Sequence, residues 1–231
     1  MSFLGKFLRA KAVIWILIIL PGLWPAWPLF YRQDPSVLAD PLKFVLLHLG
    51  FTASLLLAIV LTFTPLRVLF PKWDVALALN RHRRLVGVSA FAYGAIHFST
   101  HLFYELQGGA QGVGHVLKTD VTKPFLVTGM IALTLLLVLA ITSLQALIRW
   151  LGGKAWKNLH RLAYVAAALI AYHQSAARKV FPMQVLWIFI PLVLLELARF
   201  VKQRRGRTAP RMAPVRPGDQ GIPVRTANER E

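Results

Sequence analysis

Long apolar blocks separated by short polar connections are the dominant pattern along the chain. Six blocks are long enough to cross a bilayer, for which a helix needs about 20 residues. They show neither the alternation of half-buried strands nor the amphipathic period of soluble helices. The pattern predicts an all-α integral membrane protein, a six-helix bundle with spans at residues 12–29, 44–64, 85–106, 125–148, 156–176 and 180–200.

Two regions of different character follow from this pattern. Residues 1–200 are predicted to form the transmembrane domain, and residues 201–231 a basic, Pro-rich, disordered cytoplasmic tail. Lys6, Arg9 and Lys11 precede the first apolar block as in a signal peptide, but no small-residue cleavage pattern follows. The first block is therefore expected to remain as a helix.

Positive charge is divided unevenly between the predicted loops. The net charge is +18, and 21 of the 27 Lys and Arg residues lie on the side that contains both termini. Because loops rich in Lys and Arg stay in the cytoplasm, both termini are predicted to be cytoplasmic. The basic residues lie at helix ends and in the tail, so they indicate contact with membrane lipid and no nucleic-acid partner.

Histidines carry the candidate chemistry. The chain has no cysteine, which excludes disulfides, iron-sulfur clusters and thiolate metal sites. Ionisable groups inside the hydrocarbon are costly and usually mark a functional path, and imidazole is an axial ligand of haem iron. Four of the seven histidines fall inside or at the edge of predicted spans: His48, His97, His160 and His173.

The depths of these histidines suggest haem between helices. His97 and His173 both fall in the outer half of the predicted bundle, where they could face each other across one haem. His160 precedes His173 by 13 residues, a rise of about 20 Å that suits two stacked haems. On an ideal helix the two side chains would point about 140° apart, so a bulge or tilted haems would be needed. In the alternative interpretation, each histidine only bonds a neighbouring carbonyl or hydroxyl.

Two segments resemble a known family: HRRLVGVSAFAYGAIHFSTHLFYE in the third span and GKAWKNLHRLAYVAAALIAYH around the fifth. Over about residues 1–200 the chain resembles the MsrQ (YedZ) family of the ferric-reductase-like transmembrane superfamily. The resemblance implies a bacterial inner-membrane, multi-pass subunit with one or two b-type haems, whose iron ligands fall on His97, His160 and His173.

The same resemblance implies an electron path. Electrons would pass from the quinone pool or a cytoplasmic flavin reductase to a periplasmic molybdopterin-dependent methionine-sulfoxide reductase, which repairs oxidised periplasmic proteins. Flavin mononucleotide (FMN) binding is also reported for the family, but no local motif places it. The chain itself has no dinucleotide fingerprint, so it is expected to be an electron-transfer subunit without its own substrate site.

The chain departs from the wider superfamily at the inner haem. Other members have two ligands on the third helix about 14 residues apart, and here that count back from His97 reaches Arg83. His82 is therefore a candidate inner ligand, or a basic interfacial residue. Arg83, Arg84 and Arg161 are candidate partners of haem propionates, quinone or flavin, or simple positive-inside anchors.

The remaining candidates lie mostly on the predicted outer side. His101 is an alternative outer ligand, a haem-propionate partner, a quinone contact or a plain interfacial histidine. His48 is expected to be structural or proton-handling, and His115 to be solvent-exposed. Glu105 and Asp120 are expected on an exposed outer loop, where they could dock a periplasmic partner.

Two alternative functions remain open. One is a stand-alone transmembrane ferric or oxygen reductase. The other is a histidine-lined metal transporter, in which the histidines of HFSTH would bind a divalent cation in transit. Transporters usually show repeated halves or broken helices with acidic residues at the membrane centre. Here Glu196 lies within a predicted span, towards its inner end, and no acidic residue falls at the centre of a span.

Overall fold

The computed structural model describes residues 2–178 and 180–208, and every regular element within them is helical. This confirms the predicted all-α class. The elements in chain order are α1 (Phe3–Phe7), α2 (Lys11–Leu23), a π-helical turn (Trp27–Tyr31), α3 (Pro35–Leu38), α4 (Pro41–Leu69), α5 (Asp74–Arg81), α6 (Arg83–Gln107), α7 (Val113–Asp120), α8 (Pro124–Ile141), α9 (Gln145–Leu159), α10 (Leu162–Ala176) and α11 (Met183–Thr208).

Helix α4 lies at the centre of the bundle and packs against α2, α6, α10 and α11, while α8 packs against α6 and α10. Small residues make these contacts close: Ala90 of α6 and Ala166 of α10 are fully buried in the same cluster as Leu57 and Phe63 of α4. Close packing of small residues is a main source of helix association in membranes. The arrangement places α4, α6, α8 and α10 around one internal space.

Within the described residues, three helices are long and apolar enough to cross a membrane: Pro41–Leu69, Pro124–Ile141 and Met183–Arg205. They confirm the second, fourth and sixth predicted spans as apolar helices. Helix α2 is apolar but shorter, α6 carries several polar residues, and α10 has 15 residues. The crossings assigned to these three helices, and the cytoplasmic location of both termini, stay predictions.

The connection between α8 and α10 differs from the expectation. The fourth span is predicted to reach residue 148, but α8 ends at Ile141. Beyond this end, the hydroxyls of Thr142 and Ser143 donate to carbonyls in the last turn of α8. Trp156 Nε1 then donates to Thr142 O at 3.1 Å. The following helix α9 is broken at Gly152, whose φ of 75° suits a residue without a Cβ. The fifth span is predicted to begin at residue 156, but α10 begins at Leu162.

His48 has a structural role in the fold. Residue 25 is proline and lacks an N–H, so the carbonyl of Pro21 has no helical donor from that position. His48 Nε2 lies 2.6 Å from this oxygen and must donate to it, since a carbonyl only accepts. The His48 ring also stacks on Trp24, with centroids 5.4 Å apart. These contacts support the structural interpretation of His48, and its role stays a prediction.

Helix α11 continues through residues 201–208, where the sequence predicted the start of a disordered tail. Lys202 stabilises the extension, because its Nζ donates to the carbonyls of Val68 and Leu69 at the end of α4, at 3.0 and 2.9 Å. These are carbonyls that a helix leaves without internal donors. The remainder of the predicted tail, residues 209–231, lies outside the described residues.

Candidate functional site: a histidine-lined cavity

A cavity of about 300 Å³ lies between α4, α6, α8 and α10. His97 of α6 and His173 of α10 both line it, as their predicted depths required. The centroids of the two imidazole rings are 6.2 Å apart, and the rings are nearly perpendicular at 83°. Most of the remaining wall is apolar, contributed by side chains such as Leu46, Phe98 and Leu133. The structure therefore brings together the outer pair that the sequence predicted.

Hydrogen bonds fix the same tautomer in both imidazoles. His97 Nδ1 lies 2.9 Å from Leu46 O, and His173 Nδ1 lies 2.7 Å from Phe125 O. A carbonyl only accepts, so Nδ1 carries the proton in each ring and Nε2 keeps its lone pair. Metal-ligating histidines are commonly oriented in this way by a carbonyl. The alternative interpretation, in which each histidine only bonds a neighbouring carbonyl, explains Nδ1 of each ring. It does not explain why Nε2 of each ring is left available as a ligand.

Two glycines let the neighbouring helices approach these rings. A Cβ on Gly50 of α4 would lie 2.9 Å from His97 Cε1, and a Cβ on Gly129 of α8 would lie 2.7 Å from His173 Nδ1. Both distances are shorter than normal contacts, so any side chain at either position would displace an imidazole. Neither glycine was among the predicted site residues. Each lies within an otherwise apolar span, and a glycine in such a position often marks the close approach of another group.

The pair fits the iron of a haem group. With metal–nitrogen distances of about 2 Å, an ion between two imidazoles separates their centroids by about 6 Å, close to the observed 6.2 Å. Haem supplies four ligands from its own ring, so the protein needs to provide only axial ligands. Within the described residues, no group of three or more His, Cys, Asp or Glu side chains is placed to hold a metal ion.

A polar network beside His173 ties α10 to α4. Gln174 Nε2 bonds Ser54 Oγ, and Ser54 Oγ donates to Gly50 O at 2.7 Å. Gln174 Oε1 is buried and has no hydrogen-bond partner among the described residues, and its side chain lines the cavity. The sequence analysis missed Gln174 and Ser54, because single polar residues give no periodic signal. The network fixes α10 against α4 next to His173.

His101 and Asp120 form a pair at the outer end of the cavity. His101 Nε2 lies 2.8 Å from Asp120 Oδ2, and Asp120 is only 2% exposed. The expectation that Asp120 lies exposed for docking is therefore wrong: this carboxylate, at the end of α7, is buried and paired with His101 of α6. Glu105 is half-buried and lines the same cavity, whereas His115 is exposed as expected.

His160 lies elsewhere, at the junction of α9 and α10. It ends α9, and α10 begins at Leu162, so the chain is not one ideal helix between His160 and His173. His160 Nδ1 bonds Trp156 O at 3.0 Å, which leaves Nε2 unprotonated as in the outer pair. The Trp156 ring packs on the imidazole with centroids 4.0 Å apart.

The four candidate residues near this junction differ in burial and in their contacts. Arg83 lies over the Trp156 ring, with its guanidinium carbon 5.4 Å from the ring centroid. His82, the preceding residue, is 8% exposed, and its Nε2 has no hydrogen-bond partner among the described residues. Arg84 and Arg161 are exposed at the starts of α6 and α10. No imidazole is described in ring contact with His160, so the structure assembles no second pair like the outer one.

These features define a class: an all-helical membrane protein whose cavity between helices presents paired imidazoles. Residues 49–171 match the family "Ferric reductase like transmembrane component". The chain is also 36% identical over 188 residues to "Protein-methionine-sulfoxide reductase heme-binding subunit MsrQ" of Herminiimonas arsenicoxydans, covering 80% of this chain and 82% of the relative. The chain belongs to the MsrQ family of ferric-reductase-like transmembrane proteins, as its motifs predicted. No solved structure matches.

Proposed function

We propose that this chain is a b-type haem membrane subunit that transfers electrons, and that His97 and His173 are the axial ligands of its outer haem. The single observation that supports this most strongly is the outer pair, with 6.2 Å between ring centroids and both Nδ1 atoms bound to carbonyls. When bound, haem supplies reversible one-electron chemistry of its iron. The residues of the chain hold the two imidazoles, exclude water with an apolar wall and keep Nε2 unprotonated.

His160 is the proposed ligand of a second haem near the inner surface. Its Nδ1 bond to Trp156 O favours the tautomer that a ligand needs. His82 is the proposed opposite ligand, because its buried Nε2 lacks a partner among the described residues. Arg83, Arg84 and Arg161, at the adjoining helix ends, are proposed to bind the anionic groups of haem, quinone or flavin.

The proposed donor and acceptor are those that the family resemblance implies. We propose a multi-pass protein of the bacterial inner membrane, with quinol or a cytoplasmic flavin reductase as donor and FMN as a second candidate cofactor. The proposed acceptor is a periplasmic molybdopterin-dependent methionine-sulfoxide reductase. The relative from Herminiimonas arsenicoxydans is named as a haem-binding subunit of protein-methionine-sulfoxide reductase, which supports the pairing with such an enzyme.

A reduced minus oxidised visible spectrum of the purified full-length protein tests the proposal, with haem counted per chain as the pyridine haemochrome. We expect a sharp low-spin b-type band and one to two haems per chain. A colourless protein after expression with ample haem would contradict the proposal, and stoichiometric zinc binding by that protein would favour the transporter instead. Rapid oxidation of the reduced haem by ferric chelates or oxygen, without a partner, would favour a stand-alone reductase.

A further inference from the structure

Three cationic side chains line the outer mouth of the cavity: Lys43, Lys123 and Arg178. Each lies at a helix end on the same side of the bundle. Lys43 is in the first turn of α4, Lys123 is the N-cap of α8, and Arg178 follows the C-cap of α10. Lys43 and Arg178 are exposed, and Lys123 is half-buried. The apolar cavity therefore opens towards a positively charged rim.

The charges of this rim are not balanced within the described part of the chain. Asp120 lines the cavity but is already paired with His101 at 2.8 Å. Glu105 also lines the cavity, and neither it nor the three cations forms an ion pair with a described residue. The N-terminal ends of α4 and α8 lie at the same rim as the C-terminal ends of α6 and α10, and Asp40 caps α4, so the partial charges of these helix ends offset one another. Three cations thus face two carboxylates that form no ion pair with a described residue, Glu105 and Asp40, the second of which accepts a hydrogen bond from Tyr104 Oη. One positive charge is left in excess.

We propose that Lys43, Lys123 and Arg178 bind the two propionate groups of the haem held by His97 and His173. This inference rests on the proposed function. Haem has an apolar ring with two carboxylates on one edge, and the cavity has the same polarity: apolar around the imidazoles and cationic at its mouth. The cations orient the ring, so that its carboxylate edge lies at the outer surface.

Two consequences follow from this orientation. The propionates remain ionised at the membrane surface, where charge costs far less than in the hydrocarbon interior. The cations also favour the reduced haem, because reduction removes one positive charge from the iron nearby. The rim therefore both anchors the haem and raises its midpoint potential, and it places the haem edge where an external acceptor can approach.

The first test uses Lys43→Gln, Lys123→Gln and Arg178→Gln, singly and together, in the full-length protein. The controls are Lys118→Gln in α7 and Arg32→Gln after the π-helical turn, which remove exposed cations that do not line the cavity. We expect the triple variant to lose haem to an acceptor protein about tenfold faster than the controls, since it lacks charge-assisted bonds. The midpoint potential of the triple variant, measured at alkaline pH where the propionates are ionised, should be lower than that of the controls. Loss rates and potentials equal to those of the controls would overturn the inference.

The second test changes the ligand. Full-length protein produced without haem is titrated with haem and with haem dimethyl ester, in which both carboxylates are blocked. We expect the control variants to prefer free haem, and the triple variant to bind both forms alike. If the triple variant keeps the preference, or loses affinity equally for both forms, the cations serve another anion such as lipid phosphate, and the inference is wrong.

The outcomes also separate this inference from the proposed function. Should His97→Ala and His173→Ala keep the full haem content, the ligand assignment itself fails. Should those two variants lose haem while the rim variants behave like the controls, only the propionate assignment fails. A triple variant that does not fold is replaced by the single variants, and Lys43→Arg and Lys123→Arg should then keep the haem affinity that Lys43→Gln and Lys123→Gln lose.

Discussion

The outer and inner histidines differ in how the fold supports them. His97 and His173 project from the continuous helices α6 and α10, and neighbouring helices place a glycine against each ring. His160 and His82 instead lie at helix ends, where α9 meets α10 and α5 meets α6. The outer pair is set by helix packing within the bundle. The inner histidines depend on the conformation of connections.

The outer pair is preorganised to a greater extent than the inner histidines. In the outer pair, each ring is fixed by a carbonyl bond, a glycine contact and the opposite imidazole. At the inner site, His160 contacts Trp156 and lies 3.3 Å from Ser143 Oγ, whose single hydrogen is shared with Leu139 O. Rigid elements hold ligands more accurately than connections do. We therefore expect firm haem binding at the outer pair and weaker binding at the inner residues.

The largest expected effect is that of His173→Ala. Removing one of two axial ligands should abolish the low-spin signal of the outer haem and lower haem affinity at least about tenfold. His48→Ala is the matched control. His48 is also a half-buried imidazole within a predicted span, but its Nε2 donates to Pro21 O. The measurement is electron paramagnetic resonance together with haem content. An equal loss of haem and of the low-spin signal in both variants would contradict the assignment of His173 as a ligand.

Alanine at the two cavity glycines should have the next largest effect. Gly129→Ala and Gly50→Ala would place a Cβ 2.7 and 2.9 Å from the His173 and His97 rings, which must then rotate or move. We expect a shifted or broadened low-spin signal and several-fold weaker haem binding. Gly87→Ala in α6 is the control, since no atom lies within 4 Å of its added Cβ. Wild-type spectra for both cavity variants would refute the role of these glycines.

His160→Ala tests the inner site separately. We expect it to remove at most one haem per chain and to leave the low-spin signal of the outer pair unchanged, because His160 shares no ring contact with His97 or His173. If His82 is the opposite ligand, His82→Ala should lose the same haem. The readout is haem stoichiometry combined with a potentiometric titration. Loss of the outer signal in His160→Ala would mean that the two sites are not independent.

Trp156→Phe should give the smallest effect. The variant keeps an aromatic ring against His160 but loses the Nε1–H bond to Thr142 O, which contributes about 1 kcal/mol to stability. We expect a small decrease in melting temperature in detergent and a modest change in the inner haem potential. Trp150→Phe, which alters an exposed residue of the same helix, is the control. A perturbed outer haem would argue against the separation of the two sites.

The depth of each histidine was predictable from local spacing. Apolar runs of bilayer length define where a helix lies, and the position within a run gives the depth of a side chain. This is why His97 and His173 were expected at the same level, and why they share a cavity. The inner residues were less predictable. Helix breaks at Gly152 and His160 depend on hydroxyl and indole bonds to carbonyls that periodicity does not reveal.

The membrane class, the lack of cysteine chemistry, the set of candidate imidazoles and, through its motifs, the family could all be read from the order of residues along the chain. Tertiary structure alone decided which nitrogen of each imidazole is free, which glycines contact the rings and that Asp120 is buried with His101. The physical reason is that hydrophobicity and helical rise are local properties of the chain. The rotation of a helix about its axis, and the partners that it meets, are set by packing against residues distant in sequence.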